Sequence, residues 1–202
     1  CGIIVCDDFL AENILEKAAE HKGTVLYASP MHIRLLASSK KQVRLPSLRR
    51  VVSTTTGISA LICKTFEERY GLPVVQAFGI IEAGLPIINL RQSSEHPEAV
   101  GFGLPSFTIS ILDQSFKPLP PGHTGQLAIK GPGMFDGYLS PPTNREEVLK
   151  EGWFITGDLA SMTVDGMVEI KGRTKNVINV LGNKVFPNEV EEVINLFGGI
   201  LE

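Results

Sequence analysis

Cysteine is scarce in this chain, with Cys1, Cys6 and Cys63 the only three among 202 residues. An odd, sparse set argues against a disulfide framework and for a reducing, cytoplasmic compartment. Cys1 and Cys6 have no histidine beside them and no second cysteine pair, which argues against a metal site there. Long apolar runs are missing too. None approaches the ~20 residues that span a bilayer. Gly2-Ile3-Ile4-Val5 gives way at once to Asp7 and Asp8, so no signal peptide is read. There is no long run of Lys or Arg, and the net charge is only −3. That removes the electrostatic case for nucleic acid or an anionic membrane as partner. No internal repeat or low-complexity segment is found. What is present is ordinary: 43% hydrophobic and 20% charged residues, the balance of a folded globular protein. The first residue is not Met and the last residues follow a helix, so both ends read as cut. Leu201-Glu202 reads equally as native sequence or as a cloning scar.

Hydrophobic periodicity divides the chain. Residues 3–5 read as a buried strand and Glu12–His21 as a helix with Ile14, Leu15, Ala18 and Ala19 on one face. Val25-Leu26-Tyr27 is a short strand, and Pro30 opens a helix carrying Ile33, Leu35 and Leu36. Arg50–Ser53 is a strand into a Thr-rich turn. Ile62, Phe66 and Tyr70 recur every fourth residue in a helix that Gly71 ends. Pro73–Gln76 is the next strand. Such alternation indicates an α/β layer with a largely parallel sheet.

After about His96 the pattern becomes short alternating strands, such as Thr108–Leu112 and Gln126–Lys130, punctuated by proline and glycine. Asp165-Gly166 reads as a hairpin turn. Thr143-Asn144-Arg145-Glu146 reads as a capping box for one helix. This stretch predicts a small β-barrel-like subdomain. Pro187-Asn188-Glu189 then opens a helix with Val190, Val193, Ile194 and Phe197 as its apolar stripe, the start of a C-terminal α+β domain. The expected division is residues 1–97, 98–171 and 172–202.

Four local patterns carry chemistry, and each also has a plain structural reading. Gln76–Glu82 sets an aromatic ring (Phe78), a glycine (Gly79) and a carboxylate (Glu82) just after a strand, where ligands sit in α/β sheets; taken alone, such a pattern is more often an ordinary strand exit. Trp153–Asp158 puts a carboxylate after a glycine turn, either a ribose-binding acid or a solvated turn residue. Gly172-Arg173-Thr174-Lys175-Asn176 sets two cations beside a glycine, either functional or a linker. Gly182–Pro187 is a turn into a helix, either functional or a plain hairpin with a helix start.

In order, the patterns are Phe78-Gly79-x-x-Glu82, Gly125-Gln126-Leu127-x-x-x-Gly131-Pro132, Gly137-Tyr138, Gly152-Trp153-Phe154-x-Thr156-Gly157-Asp158, Gly172-Arg173-x-Lys175 and Asn188-Glu189-Val190-Glu191. This series resembles the superfamily of acyl-CoA synthetases, peptide-synthetase adenylation domains and luciferases. The likeness runs from about Phe9 to the end and is strongest between Gly101 and Glu192. Val185–Glu191 is most similar to the fatty acyl-CoA ligases.

The resemblance implies an acid–thiol ligase that uses ATP, Mg2+ and CoA. A carboxylic acid, fatty or otherwise hydrophobic, is activated as acyl-AMP and passed to CoA. It further implies that Phe78 stacks on adenine, with Thr54, Thr55, Thr56, Ala77, Gly79 and Ile81 around the nucleotide. Glu82 holds Mg2+, Asp158 binds the ribose hydroxyls and Arg173 supports the ribose or phosphate. Lys175 marks the hinge between domains, and Gly182 and Lys184 belong to the loop swung in for thioester formation. Ile80 and Gly84 border the acyl pocket. The phosphate loop is expected upstream of Cys1 and the catalytic lysine beyond Glu202, so the segment alone is expected to be inactive.

Two departures bear on the nucleotide. Ile81 stands where the family has a threonine that meets the α-phosphate, and Ser53-Thr54-Thr55-Thr56-Gly57 stands where it has a Gly-Gly-Ala-Pro-like run. Two alternatives therefore accompany the ligase reading. One is an adenylating enzyme that serves a carrier-protein thiol. The other is a non-catalytic AMP-binding module.

Overall fold

The structure is a computed structural model and describes residues 2–6, 10–41, 43–180 and 183–195. Two compact units divide the chain, Cys1–Gly79 with Ile87–Gly101, and Ile80–Pro86 with Phe102–Glu202.

The first unit is α/β. Its elements are α1 (Ala11–Glu20), β1 (Val25–Ala28), α2 (Pro30–Ser38), β2 (Arg50–Ser53), α3 (Ala60–Tyr70) and most of β3 (Val74–Ile80). Their boundaries follow local chemistry. Pro30 occupies the first helical turn of α2, where its missing N–H has no bond to lose, and the Ser29 hydroxyl accepts from His32 N at 3.5 Å. In α3 the Ser59 hydroxyl accepts from Ile62 N at 3.4 Å. Gly71 closes that helix at φ 71°, a left-handed turn that glycine adopts without strain, its N–H donating to Glu67 O at 2.7 Å.

β1, β2 and β3 pair in parallel, with Val25 opposite Arg50 and Val51 opposite Val74. Parallel neighbours need long crossovers, which α2 and α3 supply. Leu15, Ile33, Leu36, Val51, Phe66 and Val74 are all but fully buried in the core. The Phe66 and Tyr70 rings lie 4.6 Å apart, and Tyr70 Oη donates to Leu36 O at 3.0 Å, joining α3 to α2. Two buried amides fasten the returning segment. Gln76 accepts from Ile58 N at 3.2 Å and donates to Pro97 O, while Asn89 donates to His96 O at 2.9 Å and Ala99 O at 3.2 Å. Satisfied buried polar groups of this kind fix one arrangement of the backbone.

The second unit takes up the chain around β4 (Gly84–Ile88) and β5 (Gly101–Gly103). It continues with β6 (Thr108–Leu112), β7 (Gly125–Lys130), β8 (Gly137–Leu139), β9 (Pro142–Asn144), α4 (Arg145–Val148), β10 (Phe154–Met162) and β11 (Met167–Arg173). A 3₁₀ turn over Thr174–Asn176, β12 (Ile178–Val180), β13 (Asn183–Val185) and α5 (Pro187–Asn195) complete it. β6, β7, β10 and β11 form an antiparallel sheet in the order β6-β7-β10-β11. Among the described strands this sheet is open, with no closed ring. Its core is Ile111, Leu112, Leu127, Ile129, Phe154 and Val168. Among the described residues no helix is long and apolar enough to cross a membrane.

Several local expectations hold. The Asp165-Gly166 turn joins β10 to β11, with Gly166 at φ 91° and the Thr163 hydroxyl accepting from Met167 N at 2.9 Å. Three need correction. Residues 3–5 are exposed and irregular, because β-branched residues hold an extended ladder only where a neighbouring strand supplies partners. The capping box sits one residue later than Thr143–Glu146, with Asn144 as N-cap and its N–H donating to Glu147 Oε1 at 3.3 Å. The third is β3, which does not end at Gln76 but runs on to Ile80, so Phe78 and Gly79 lie within the strand. The α5 stripe of Val190, Val193 and Ile194 is exposed, and Phe197 lies outside the described residues.

Candidate functional site

In the first unit the sequence-selected residues sit at the carboxyl ends of β2 and β3. Parallel register sets Ser53, the last residue of β2, opposite Gln76, and β3 runs on four residues beyond that point to Ile80. Thr54 is buried, and its Oγ1 donates to Tyr27 Oη at 2.9 Å, which ties the exit of β2 to β1. Thr55 and Thr56 are exposed. Thr55 holds φ 86°, a region that a β-branched residue enters only at a cost of about 1–3 kcal/mol. Ala77 is buried, Phe78 half-buried and Gly79 exposed. The unit therefore presents an aromatic ring in the carboxyl half of β3 and a strained polar turn after β2.

In the second unit a tight turn after β3 carries Ile81 and Glu82. Ile81 is 99% exposed. Glu82 is held twice: its carbonyl accepts from Phe135 N at 2.9 Å, and its carboxylate Oε1 accepts from Tyr138 Oη at 2.8 Å. Among the described residues no group of three His, Cys, Asp or Glu side chains is placed to cage a metal. A lone carboxylate on a turn fits an ion that keeps most of its shell in water and other oxygens, as magnesium does.

Asp158 is the other carboxylate, and it is not a solvated turn residue. It lies in β10 and is 4% exposed. Gly157, at φ 79°, accompanies a break in the β10–β7 register between Ile155 and Leu159. Directly opposite on β11 is Arg173, whose Nε lies 3.0 Å from Asp158 Oδ1. Thr156 Oγ1 accepts from Asp158 N at 3.0 Å. Burial pushes the Asp158 carboxyl above its usual range, while the Arg173 charge and hydrogen bonds from Thr156 and Arg173 pull it back. Asp158 Oδ2 is buried and meets no hydrogen-bond donor among the described residues. A buried carboxylate oxygen without a donor is costly, and a hydroxyl is one group that would satisfy it. Arg173 is 64% exposed, so its remaining donors face solvent.

Lys175 is exposed in the 3₁₀ turn. Gly182 lies outside the described residues. Lys184 belongs to β13, paired opposite Asn179, and its side chain lies outside the described residues. Sequence reasoning gave no role to Tyr138 or Thr156. Both stood in its motifs, Gly137-Tyr138 and Thr156-Gly157-Asp158, but only the folded chain shows what they touch.

Comparison with known proteins identifies the family. The family described as AMP-binding enzyme matches residues 1–139. The chain is 28% identical over 192 residues to the long-chain-fatty-acid–CoA ligase of Salmonella typhimurium, covering 94% of this chain and 34% of that protein. It is 28% identical over 191 residues to a feruloyl-CoA synthase from Amycolatopsis, covering 93% and 39%. Among solved structures, ATP-bound MatB from Rhodopseudomonas palustris superposes with a TM-score of 0.88 at 29% identity, covering 98% of this chain and 40% of that one. The chain thus spans little more than a third of the length of these relatives. With the family matching well over half of its residues, this chain belongs to the AMP-binding enzymes.

Proposed function

We propose that the full-length protein is an ATP-dependent acid–thiol ligase that converts a carboxylic acid to acyl-AMP and then to the CoA thioester. The observation that carries this is the buried, donor-less Oδ2 of Asp158 beside the Arg173 guanidinium. A neutral vicinal diol next to a phosphate satisfies both groups, since the hydroxyls donate to the carboxylate and the phosphate accepts from the cation. AMP has that chemistry.

In this reading Asp158 binds the ribose hydroxyls, and Arg173 steadies the ribose or phosphate. Phe78 stacks on adenine, with Thr54, Thr55, Thr56, Ala77, Gly79 and Ile81 lining the nucleotide. Glu82 holds Mg2+, whose chemistry is to spread phosphate charge as the acid oxygen displaces pyrophosphate. Adenylation is what makes the next step feasible, because AMP turns a carboxylate oxygen into a leaving group that a thiol can expel. Lys175 acts as the hinge, and Gly182 and Lys184 lie on the CoA side. Residues 1–97 and 98–171 serve as parts of the larger domain and 172–202 as the start of the smaller. A fatty or other hydrophobic acid is the proposed substrate, supported by relatives named for long-chain fatty acids and for ferulic acid. Cytoplasmic placement, from the cysteine usage, belongs to the same proposal.

The test is acid-dependent ATP–pyrophosphate exchange by the full-length protein over fatty and aromatic acids, followed by thioester formation with CoA. Exchange with no thioester points to a carrier-protein acceptor. A second reading, a non-catalytic AMP-binding module, is favoured by Ile81 and by the strained Thr55. AMP binding without exchange on any acid would establish it.

A further inference from the structure

The Glu82–Tyr138 hydrogen bond joins residues 56 positions apart and is open to solvent. Tyr138 is half-exposed, and so is Glu82. A solvent-accessible hydrogen bond stabilises a fold little, because water offers nearly the same bond. What it does achieve is orientation. A glutamate on a turn samples several rotamers, and one anchored oxygen restricts them.

The anchor is itself held. The Tyr138 ring meets Phe135 edge-on at 4.8 Å, and Phe135 meets Phe154 of β10 at 5.8 Å. Phe135 also donates its N–H to Glu82 O at 2.9 Å, so one residue grips both the turn and the tyrosine. Gly137 places Tyr138. At φ 152°, a Cβ there would stand 2.2 Å from Thr143 O, so only glycine lets β8 approach β9 this closely.

We propose that Tyr138 is a positioning residue for the metal carboxylate: its hydroxyl fixes Glu82 through Oε1 and turns Oε2 outward to meet a divalent cation. This rests on the reading of Glu82 as the Mg2+ residue. Supporting partners of metal ligands typically contribute 10- to 100-fold in metal affinity. A half-exposed hydroxyl belongs at the low end of that range.

The experiment measures ATP affinity of the full-length protein by calorimetry, with and without Mg2+, together with thermal midpoints. Tyr138→Phe removes only the hydroxyl. It is expected to cut the Mg2+-linked gain in ATP affinity by about tenfold, while leaving metal-free ATP binding and the thermal midpoint unchanged. In a Glu82→Gln background the same substitution is expected to do nothing further. If Glu82→Gln abolishes the Mg2+-linked gain but Tyr138→Phe leaves it intact, the positioning role is overturned and the Glu82 reading stands. If Glu82→Gln itself leaves that gain intact, both fall. A Tyr138→Phe protein that loses ATP affinity equally with and without Mg2+, or melts lower, shows a merely structural tyrosine and also overturns the proposal.

Discussion

Replacing Asp158 by asparagine separates what this residue does for binding from what it does for stability. The substitution keeps the shape and removes the charge. In the folded chain Asp158 is 4% exposed, with one oxygen at 3.0 Å from Arg173 and the other without a donor. A hydrogen bond to a charged group contributes about 1.5–3 kcal/mol, and each 1.4 kcal/mol is about tenfold in affinity. Losing the charged acceptor is thus expected to weaken AMP binding roughly tenfold or more. Arg173 is 64% exposed and returns to water at little cost, so no large stability loss follows.

The pH dependence has a definite sign. Burial raises the folded-state pKa of Asp158 above its unfolded value of about 3.9. Between those two values the folded chain binds the proton more tightly than the unfolded chain, so this group's contribution to stability declines as pH rises through the window. Above the folded value the cost of a buried charge is fully present. The neutral amide of the Asp158→Asn variant carries no such cost. That variant should therefore gain stability relative to the parent as pH rises through the window, then hold that difference to neutrality. Calorimetric titration with AMP and urea denaturation across a pH series read the two effects separately. An AMP affinity unchanged within error, or a stability difference that shrinks as pH rises, would refute the reasoning.

Four further outcomes are expected. Thr55→Gly relieves a left-handed backbone that threonine resists and should raise stability by about 1 kcal/mol, read from the urea midpoint. Gly101→Ala places a Cβ 2.3 Å from Asn89 Cα at φ 94° and should cost on the order of 3 kcal/mol or prevent folding, by the same measurement. The Cys63 thiol is buried and pushed up to about 12, so iodoacetamide should label Cys6 well before Cys63, as mass spectrometry of timed samples would show. Ile81→Thr changes a side chain that is 99% exposed, so stability should move by less than about 0.5 kcal/mol. On the ligase reading proposed above, pyrophosphate exchange in the full-length protein should rise about tenfold, because the new hydroxyl would donate toward phosphate.

Much of the fold is legible in the sequence because it is set locally. Pro30 and Gly71 mark helix ends through their own backbone chemistry, and the four-residue spacing of Ile62, Phe66 and Tyr70 marks the buried face of α3. The misread elements failed where a neighbour decides. Ile3-Ile4-Val5 has the composition of a strand without a partner, and β3 runs past Gln76 because its pairing sustains it through residues with no strong β pattern of their own. The capping box shifted by one residue because Thr143 and Asn144 both suit the cap, and the β8–β9 pairing leaves Asn144 as the last extended position.

The motif residues likewise stood out by type and order, yet type alone left Asp158 open between a ribose acid and a turn residue. Its burial, its register opposite Arg173 and its unsatisfied oxygen arise from strands that meet only in the folded sheet. The hydroxyl of Tyr138 reaches Glu82 across 56 positions by the same kind of pairing, through the β8–β9 hairpin and the Phe135 contact. Residue chemistry and local propensity travel with the linear chain and fixed the family, the α/β order and the candidate groups. Which oxygen is left without a donor, and which side chains meet, depend on strand register and on exclusion of water, and those exist only once distant segments have packed.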